Sequence, residues 1–256
     1  MMITIDRDRL EFVVISVAVL EIVFWSSVMY WKMIEKYDLF GFKSKYAIKN
    51  KRSEATPELK SECLREVLLG HLLVRPVLLY LVYPFLKSNL DMSNGLLGFP
   101  DAKTILLHVF LSAQIDDFLF YWSHRILHHK MFYVRFHKKH HMFRKPTALA
   151  TEFADPVEDA LNTLATALPP VLLGSHSSVF LLYTCLKLNQ SIEAHSGFDL
   201  PFPYSLWNCR YLGMDCAGAH DYHHSHNSGN FGGFFMFWDW AMGTDRTYRK
   251  HCLQKN

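Results

Sequence analysis

The sequence predicts an all-α integral membrane protein with about four transmembrane helices and a histidine-rich helical cap on the cytosolic side. Half of the 256 residues are hydrophobic and 15% are aromatic, whereas only 20% are charged. Several apolar runs are long enough to cross a bilayer as helices, and three clusters of closely spaced histidines lie beside or after them. We therefore place the membrane anchor in residues 1–100 and the cap-bearing domain in residues 101–256.

The charge balance and the cysteine pattern exclude two other classes of protein. A formal net charge of +3 is too small to indicate a nucleic-acid partner, and the chain has no aromatic-interleaved basic stripe or base-reading motif. The cysteines are odd in number and show no CxxC spacing, so they predict reduced thiols and no disulfide framework. They are Cys63, Cys185, Cys209, Cys216 and Cys252.

The first predicted span runs from Leu10 to Trp31 and is interrupted only by Glu11 and Glu21. It lacks the short hydrophobic region and small-residue cleavage site of a signal peptide, so we expect a retained anchor. The following segment, residues 32–60, is polar and rich in lysine. Because cytosolic loops carry an excess of lysine and arginine, this segment is predicted to face the cytosol. A plain solvated linker is the alternative for residues 52–56.

The second and third predicted spans carry polar residues that need partners. Residues 64–86 contain His71 and Arg75, which we expect to be buried against other helices or to line a cavity, because a lipid-facing charge is costly. The third span covers residues 102–122 and contains His108. Each histidine stands alone in its span, so packing or hydrogen bonding is a better interpretation than metal binding. The weakly charged loop between these spans is predicted to be lumenal.

A further apolar region, residues 157–188, is divided by Pro169-Pro170 and by Gly174-Ser175. Two adjacent prolines are predicted to end a helix and turn the chain. The region is therefore interpreted as two membrane helices that return the chain to the side it left. His176 lies at this turn and is interpreted as a cap or packing residue.

Three histidine clusters predict a transition-metal site. On a helix, residues three and four apart lie on one face, so each cluster can direct two or three imidazoles at one point. Imidazole nitrogens in such numbers suit zinc, copper, iron or nickel, whereas magnesium and calcium prefer oxygen ligands. A single HxxH or HxxxH pair would be a weak signal, but three such clusters together are specific. They are His124, His128 and His129; His137, His140 and His141; and His220, His223 and His224.

The helix that leaves the membrane at the first cluster also carries a candidate supporting residue. Asp117, Tyr121, His124 and His128 follow one another at spacings of four, three and four, so they form one stripe. A metal-bound histidine usually gives its other ring proton to a carboxylate or carbonyl, and Asp117 is placed to accept it. A helix-terminal charge at the membrane interface is the alternative. His129 is expected to take a similar supporting position beside the ligands.

Two further stretches describe the surroundings of the clusters. Residues 125–145 are strongly basic, which predicts a cytosolic position against anionic headgroups. Residues 231–240 are a dense aromatic run. We interpret this run as protein core or interfacial aromatic belt, with direct substrate contact as the alternative.

The order of the clusters carries a family resemblance. HxxxH, HxxHH and HxxHH on a small membrane chain resemble the fatty acid hydroxylase and sterol desaturase superfamily of non-haem di-iron enzymes. Four segments within residues 114–249 are similar to its C-4 methylsterol oxidase branch, which includes the fatty acid hydroxylase domain-containing proteins. They are Phe120-Tyr-Trp-Ser-His124-Arg-Ile-Leu-His128-His129, His137-Lys-Lys-His140-His141, His195-Ser-Gly-Phe-Asp199-Leu-Pro and Trp238-Asp-Trp-Ala-Met-Gly-Thr244-Asp245.

The resemblance implies a set of metal ligands by position. Asp199 occupies the place of the second histidine of an HxxxH motif in the fatty acid hydroxylase branch. It is therefore expected to be a tenth ligand or a nearby base. Sterol oxidases commonly have histidine where this chain has Phe120, Asp155 and Ala219. None of these positions is a motif ligand. The departures therefore weaken the assignment of the substrate and leave the metal site unaffected. The implied ligands are His124, His128, His137, His140, His141, His195, His220, His223 and His224.

The resemblance also implies a function. It implies a mono-oxygenase that oxidises the C-4 methyl group of a sterol with two iron ions, with zinc as the alternative metal. Electrons would come from NAD(P)H through cytochrome b5 or its reductase, because the chain has no GxGxxG or haem-attachment motif. The protein would span the endoplasmic reticulum membrane several times, with its metal site in the cytosol and its lipid substrate entering from the bilayer. Lys138 and Lys139 would contact the electron carrier or lipid headgroups.

Two alternatives to a sterol oxidase stand beside it. One is a hydroxylase or desaturase of fatty acyl chains or other lipids in the same superfamily. The other, from a different class, is a non-catalytic membrane protein in which a structural metal holds the cytosolic cap together.

Overall fold

The computed structural model describes residues 6–49 and 51–254 and is built from helices, which confirms the predicted all-α class. Long helices in the first half are followed by shorter ones around the histidine clusters. Extended pairing within the described ranges consists of isolated bridges from Ala47 to Phe198 and from Asp91 to His176. The α-helices are α1 (Arg7–Tyr37), α2 (Phe42–Tyr46), α3 (Pro57–Leu69), α4 (Arg75–Asn89), α5 (Ala102–Leu127), α6 (Pro156–Leu172), α7 (Ser177–Ala194), α8 (Cys216–His226), α9 (Phe237–Met242) and α10 (Arg246–Leu253).

Three helical stretches are long and apolar enough to cross a membrane. They are Arg7–Tyr37, Pro57–Asn89 and Ala102–Leu127, with 31, 33 and 26 residues. At about 1.5 Å per residue, each exceeds the roughly 30 Å of a hydrocarbon core. They coincide with the first three predicted spans. The apolar region at residues 157–188 forms α6 and α7, which have 17 and 18 residues and are not among the candidate spans found in the described residues.

Aspartates at the helix starts explain where several helices begin. The side chain of Asp6 accepts a backbone N–H at the start of α1, and that of Asp101 accepts two at the start of α5. Asp155 does the same for α6, where Pro156 takes the first helical position. Such caps satisfy N–H groups that have no partner within the helix. Asp155, one of the departures from the sterol oxidase pattern, therefore has a structural use in this chain.

The isolated histidines His108 and His176 are hydrogen-bonding residues, as predicted. His108 Nδ1 lies 2.9 Å from the hydroxyl oxygen of Ser175. His176 caps α7, because its Nδ1 accepts the backbone N–H of Ser178 at 3.2 Å. Both side chains are thus used to join helix ends to neighbouring segments.

The prediction that Pro169-Pro170 ends a helix is wrong by a few residues. α6 continues through both prolines to Leu172, although each proline lacks an N–H donor and its ring crowds the carbonyl one turn earlier. The turn comes at Gly174, whose φ of +57° lies in the left-handed region that glycine adopts without steric cost. The backbone N–H of Ser175 then donates to the carbonyl of Pro170 at 2.9 Å.

A shared hydrophobic core fixes α1 to the histidine-bearing part of the chain. Phe24 and Val28 of α1 pack in one buried cluster with Ile192 of α7 and with Phe143 and Phe153 from the loops between α5 and α6. Burying a large apolar side chain stabilises a fold by about 1.5–3 kcal/mol. The N-terminal helix therefore supports the segments that carry the histidines.

A group of charged side chains joins α1, the α3–α4 junction and the loop before α6. The junction is a π-helical turn, Gly70–Val74, in which His71 is buried. His71 Nδ1 lies 2.8 Å from a carboxylate oxygen of Glu21, and Nε2 lies 2.6 Å from one of Glu152. Arg75 donates to Glu21 at 2.9 Å and to Glu152 at 2.8 Å. The polar residues of the second span are therefore paired across elements, as predicted.

Replacing Arg75 with methionine is expected to lower the free energy of unfolding by about 3 kcal/mol, because the carboxylates of Glu21 and Glu152 lose their guanidinium partner. Heat- or denaturant-induced unfolding in detergent measures the change. Lys103→Met, at an exposed position of α5, is the control and should change stability by less than about 0.5 kcal/mol. Equal stability of the two variants would contradict this account of the charged group.

Candidate metal centre

The histidines implied as ligands come from four parts of the fold. α5 ends at the first cluster, with His124 in its last turn and His128 directly after it. A π-helical turn over Tyr133–His137 and a 3₁₀ turn over His140–Met142 present the second cluster. α8 presents the third cluster, and His195 directly follows α7.

The structure brings all nine imidazoles together in two neighbouring groups. Within each group, one ring nitrogen of every histidine lies within 4.8 Å of those of the other members. All are buried except His128, which is partly exposed. The five-histidine group consists of His124, His128, His137, His141 and His223, and the four-histidine group consists of His140, His195, His220 and His224.

Five of these histidines direct Nδ1 toward a backbone carbonyl oxygen. A carbonyl oxygen can only accept a hydrogen bond, so Nδ1 carries the proton and a neutral ring presents its lone pair at Nε2. The same arrangement orients metal-bound histidines in proteins. The donors and acceptors are His124 and Phe231 (3.0 Å), His140 and Phe153 (3.3 Å), His195 and Ser191 (2.8 Å), His223 and Gly229 (2.6 Å), and His224 and Phe143 (3.1 Å).

The inward-facing Nε2 atoms fit a metal ion. Nε2 of His140 and Nε2 of His195 are 3.2 Å apart, although both rings donate through Nδ1. Burial lowers the pKa of His140 and lowers the pKa of His195 to about 3, so both rings are neutral near pH 7. Two lone pairs at this distance repel each other, whereas a transition-metal ion accepts both. His124 Nε2 is likewise buried and has no hydrogen-bond partner among the described residues.

Glu158 is a supporting residue that the sequence did not reveal. It lies in the first turn of α6, is 2% exposed, and places a carboxylate oxygen 2.8 Å from His137 Nδ1. Neither atom makes a hydrogen bond of good geometry among the described residues, so the contact places a carboxyl group beside the outer ring nitrogen, where such groups orient metal-bound histidines. Acidic residues are common in the first turn of any helix. The local pattern therefore gave no reason to connect this residue with the histidines.

A loop over residues 231–235 supports the five-histidine group from outside. The carbonyl of Phe231 accepts from His124, and its backbone N–H donates to Asp239 Oδ1 at 2.8 Å. Asp117 Oδ1 accepts the N–H groups of residues 233, 234 and 235 at 3.2, 2.8 and 3.1 Å. Two buried carboxylates therefore fix the loop that orients His124.

The role predicted for Asp117 is corrected by these contacts. The sequence predicts that Asp117 accepts a hydrogen bond from the outer ring nitrogen of a ligating histidine. In the structure, the Phe231 carbonyl accepts this hydrogen bond from His124 Nδ1. The three converging N–H groups of the loop supply more hydrogen bonds to a carboxylate than one imidazole would. Asp117 is also 2% exposed, so the alternative of an interfacial charge does not hold. It acts on the histidines only through the loop.

The aromatic run that contains this loop divides between core and surface. Phe231 and Phe234 are buried, whereas Phe237 and Trp240 are 55% and 60% exposed. The Phe231 ring lies 5.1 Å from that of His128 and is thus part of the wall around the five-histidine group. The interpretation as core and interfacial belt agrees with this burial.

Two predicted residues lie outside both histidine groups. His129 is exposed, because α5 ends at Leu127 and the next turn directs this side chain outward. Asp199 was expected to be a tenth ligand or a nearby base. It instead pairs with Arg210, whose Nη2 is 2.7 Å from each carboxylate oxygen. A guanidinium compensates the carboxylate charge, so Asp199 needs no metal partner. The structure therefore places neither His129 nor Asp199 with the nine histidines.

Asp199→Ala is expected to leave the metal content of the purified protein unchanged, because Asp199 belongs to neither histidine group. Loss of its pair with the half-exposed Arg210 should lower the free energy of unfolding by no more than about 1 kcal/mol. Elemental analysis and thermal unfolding measure the two quantities. A fall in metal content at unchanged stability would restore Asp199 as a ligand.

A cavity opens between the four-histidine group and the aromatic loop. Its wall combines four of the nine histidines with polar residues of α6 and α7 and with the glycines of the loop. This arrangement provides a place where a small part of a substrate could reach a metal ion. The lining residues are Phe120, His124, Leu127, His140, Thr151, Glu158, Asn162, Lys187, Gln190, Ser191, Ala194, His195, Cys216, His220, Gly232 and Gly233.

The basic region after α5 is partly neutralised by acidic residues. Lys139 forms an ion pair with Glu66 of α3, and Lys145 lies 3.0 Å from a carboxylate oxygen of Glu54. Lys138 is exposed. Of the two lysines expected to meet an electron carrier or lipid, Lys138 is therefore the one that presents its charge to the surroundings.

Comparison with known proteins identifies relatives over most of the chain. The fatty acid hydroxylase family model matches residues 109–244. Methylsterol monooxygenase 2-2 of Arabidopsis thaliana is 36% identical over 82% of this chain and 77% of its own length. Very-long-chain aldehyde decarbonylase GL1-11 of Oryza sativa subsp. indica is 35% identical over 83% of this chain and 79% of its own. Methylsterol monooxygenase erg25A of Aspergillus fumigatus is 30% identical, over 88% and 74% respectively.

The family match contains both histidine groups and the loop that supports them. No solved structure matches the chain. The resemblance seen in the sequence, and with it the expectation of an oxidoreductase, is confirmed by the relatives. This chain belongs to the fatty acid hydroxylase family.

Proposed function

We propose that this protein is a membrane-bound non-haem di-iron mono-oxygenase that oxidises the C-4 methyl group of a sterol. The observation that carries the proposal is the convergence of nine buried or partly buried imidazoles in two groups beside a cavity. Imidazole donors suit iron, and two groups suit two ions. The sterol substrate rests on the methylsterol monooxygenases among the relatives.

The five-histidine group would hold one iron ion and the four-histidine group the other. When bound, the ions would supply the oxygen activation that amino-acid side chains alone cannot provide. The overall reaction converts a C–CH₃ group, O₂, two electrons and two protons to C–CH₂OH and water. The two electrons must come from an external reductant.

The chain's own residues orient the donors and shape the entry of the substrate. Asp117 and Asp239 fix the loop whose Phe231 carbonyl holds the His124 ring. Phe120 and Leu127 give the cavity apolar wall area near the histidines. Because α5 is both a candidate span and the source of His124, an apolar lipid could reach the cavity from the bilayer without crossing water.

Topology and electron supply complete the proposal. The basic segments would face the cytosol of an endoplasmic reticulum membrane, with residues 1–100 as anchor and residues 101–256 as catalytic domain. α6 and α7 would enter the bilayer as one hairpin and return, and this hairpin with the three candidate spans gives about four membrane-inserted units. Electrons would come from NAD(P)H through cytochrome b5 or its reductase, and the exposed Lys138 would attract an acidic carrier.

A second candidate function is oxidation of a different lipid, such as a fatty acyl chain. It is favoured by the aldehyde decarbonylase relative, whose identity and coverage are close to those of the plant methylsterol monooxygenase. Hydroxylation and desaturation both fall under this candidate. A non-catalytic protein with a structural metal is the alternative of another class.

Metal analysis and turnover of the same preparation test the proposal. The protein is purified in mild detergent, iron and zinc are quantified, and the sample receives a 4-methylsterol, O₂, NADH, cytochrome b5 and its reductase. We expect two iron ions per chain, one for each histidine group, and a sterol product oxidised at the C-4 methyl group.

Other outcomes separate the candidates. Bound iron with oxidation of a fatty acyl lipid, but of no sterol, would move the substrate to the second candidate. Bound zinc with no lipid oxidation, even after reconstitution with iron, would overturn the mono-oxygenase and leave a structural metal. The choice of lipid and the choice of metal are therefore decided by different readouts.

A further inference from the structure

The cavity beside the four-histidine group contains a buried lysine that metal binding does not use. Lys187 lies on α7, three residues before Gln190, four before Ser191 and eight before His195, and all four residues line the cavity. These spacings place them on one helix face. One side of α7 therefore carries Lys187, which is 7% exposed, in line with His195, one of the expected metal ligands.

Aromatic rings hold the ammonium group of Lys187 in place. Its Nζ lies 4.5 Å from the ring centre of Phe120 and 4.4 Å from that of Phe234, distances at which a ring face attracts a cation. Gly233 leaves room for it, since a β-carbon there would lie 2.8 Å from Nζ. Phe120 stands where sterol oxidases commonly have a histidine. In this chain the position forms part of the lysine's enclosure.

The nearest carboxylate balances the charge of Lys187 without taking a hydrogen bond of normal length. Nζ is 3.7 Å from Asp116 Oδ2, beyond the usual N–H···O range. The same oxygen accepts the hydroxyl proton of Tyr183 at 2.6 Å. An ammonium group has three N–H donors, and ring faces do not replace an oxygen acceptor. An oxygen atom of a ligand in the cavity would supply one.

We propose that Lys187 anchors the lipid substrate by donating a hydrogen bond to its polar oxygen, a hydroxyl or a carboxylate. This inference rests on the proposed function, because it takes the cavity as the place where lipid meets the metal ions. In a sterol the oxygen is the C-3 hydroxyl, bonded next to C-4, so holding it restricts the position of the C-4 methyl group. In a fatty acid it is the carboxylate. Lys187 is thus a specificity-determining residue.

Binding of lipids with and without the polar oxygen tests the anchor without turnover. The probes are a 4-methylsterol, its 3-deoxy analogue, an eighteen-carbon fatty acid and the matching eighteen-carbon alkane. Each is radiolabelled and brought to equilibrium with the purified protein in detergent micelles. In one lipid class, the probe that carries the oxygen should bind roughly ten- to a hundredfold more tightly than its deoxygenated partner, as expected for a hydrogen bond to a charged donor. Whether this is the sterol or the fatty acid identifies the substrate class.

Three variants separate an anchor from a residue that only balances Asp116. Lys187→Met should reduce the preference for the oxygen-bearing probe to less than about twofold, and Lys187→Arg should keep most of it. Asp116→Asn combined with Lys187→Met removes both charges, so no carboxylate is left uncompensated, and should also lack the preference. Lys250→Met, at an exposed site on α10, is the control and should bind as the wild type does.

Two results would overturn the anchor. One is a wild-type protein that binds oxygen-bearing and deoxygenated probes equally in both lipid classes. The other is a Lys187→Met protein, alone or with Asp116→Asn, that keeps the wild-type preference. Because binding is read without oxygen or electrons, failure of the mono-oxygenase proposal would not produce either result.

Discussion

His140→Ala is expected to abolish lipid oxidation and to lower the bound metal from two ions to one per chain. His140 belongs to the four-histidine group, which has no donor to spare for a four-coordinate ion. The five-histidine group does not include it and should keep its ion. Turnover should fall by more than about a hundredfold, because loss of even a supporting residue of a metal site can cost that much.

The two effects are measured on one purified sample, by elemental analysis and by product formation. His129→Ala is the matched control, since His129 adjoins the first cluster in sequence but is exposed and outside both groups. It should retain both ions and full turnover. Two ions per chain in the His140→Ala protein would show that the histidines do not divide into the groups described here. Loss of metal from His129→Ala would return His129 to the residues that support the site.

Eight of the nine histidines could be predicted from local spacing along the chain, whereas His195 followed only from the family resemblance. Residues three or four apart share a helix face whatever the rest of the fold does, and α8 presents His220 and His224 to the same group in this way. The division into five and four could not be predicted. His140 and His141 are adjacent in the chain yet belong to different groups, which depends on how separate segments meet.

Supporting residues were predicted less well, because their partners are distant in sequence. Asp117 meets N–H groups more than one hundred residues later in the chain, and Glu158 reaches His137 through the packing of α6. Asp199 has the spacing from His195 that an HxxxH motif requires, but its carboxylate pairs with Arg210. Spacing along the chain shows which side chains can share a face. It does not show which partner a carboxylate will find across the fold.

The predicted membrane spans show how far an apolar run in the sequence predicts a membrane helix. α7 is apolar in sequence, but Val179, Phe180 and Leu181 are buried within the protein. An apolar run of this length is compatible with burial either in lipid or in a protein core. Within the described residues, helix length and mean hydropathy keep only the first three spans as membrane candidates, so the apolar run of α7 by itself overstated its similarity to them.

Asp117→Ala is expected to be the most damaging change outside the histidines. Three backbone N–H groups of residues 233–235 would lose their acceptor, and hydrogen bonds to a charged group are worth about 1.5–3 kcal/mol each. Because the loop can relax toward water, we expect a fall of about 3 kcal/mol in the free energy of unfolding. The freed loop would no longer hold the Phe231 carbonyl against His124. Metal affinity of the five-histidine group should then fall roughly tenfold or more.

Asp117→Asn distinguishes this chain of contacts from a general loss of stability. The amide keeps an oxygen that can accept the same N–H groups, so it should recover most of the metal affinity lost in Asp117→Ala. Thermal unfolding and titration with a metal chelator measure the two effects separately. Asp101→Ala, at the capped start of the same helix, is the control and should cost about 1 kcal/mol with no change in metal affinity. If both aspartate-to-alanine variants lowered metal affinity equally, the effect would come from α5 as a whole, and Asp117 would have no particular connection to His124.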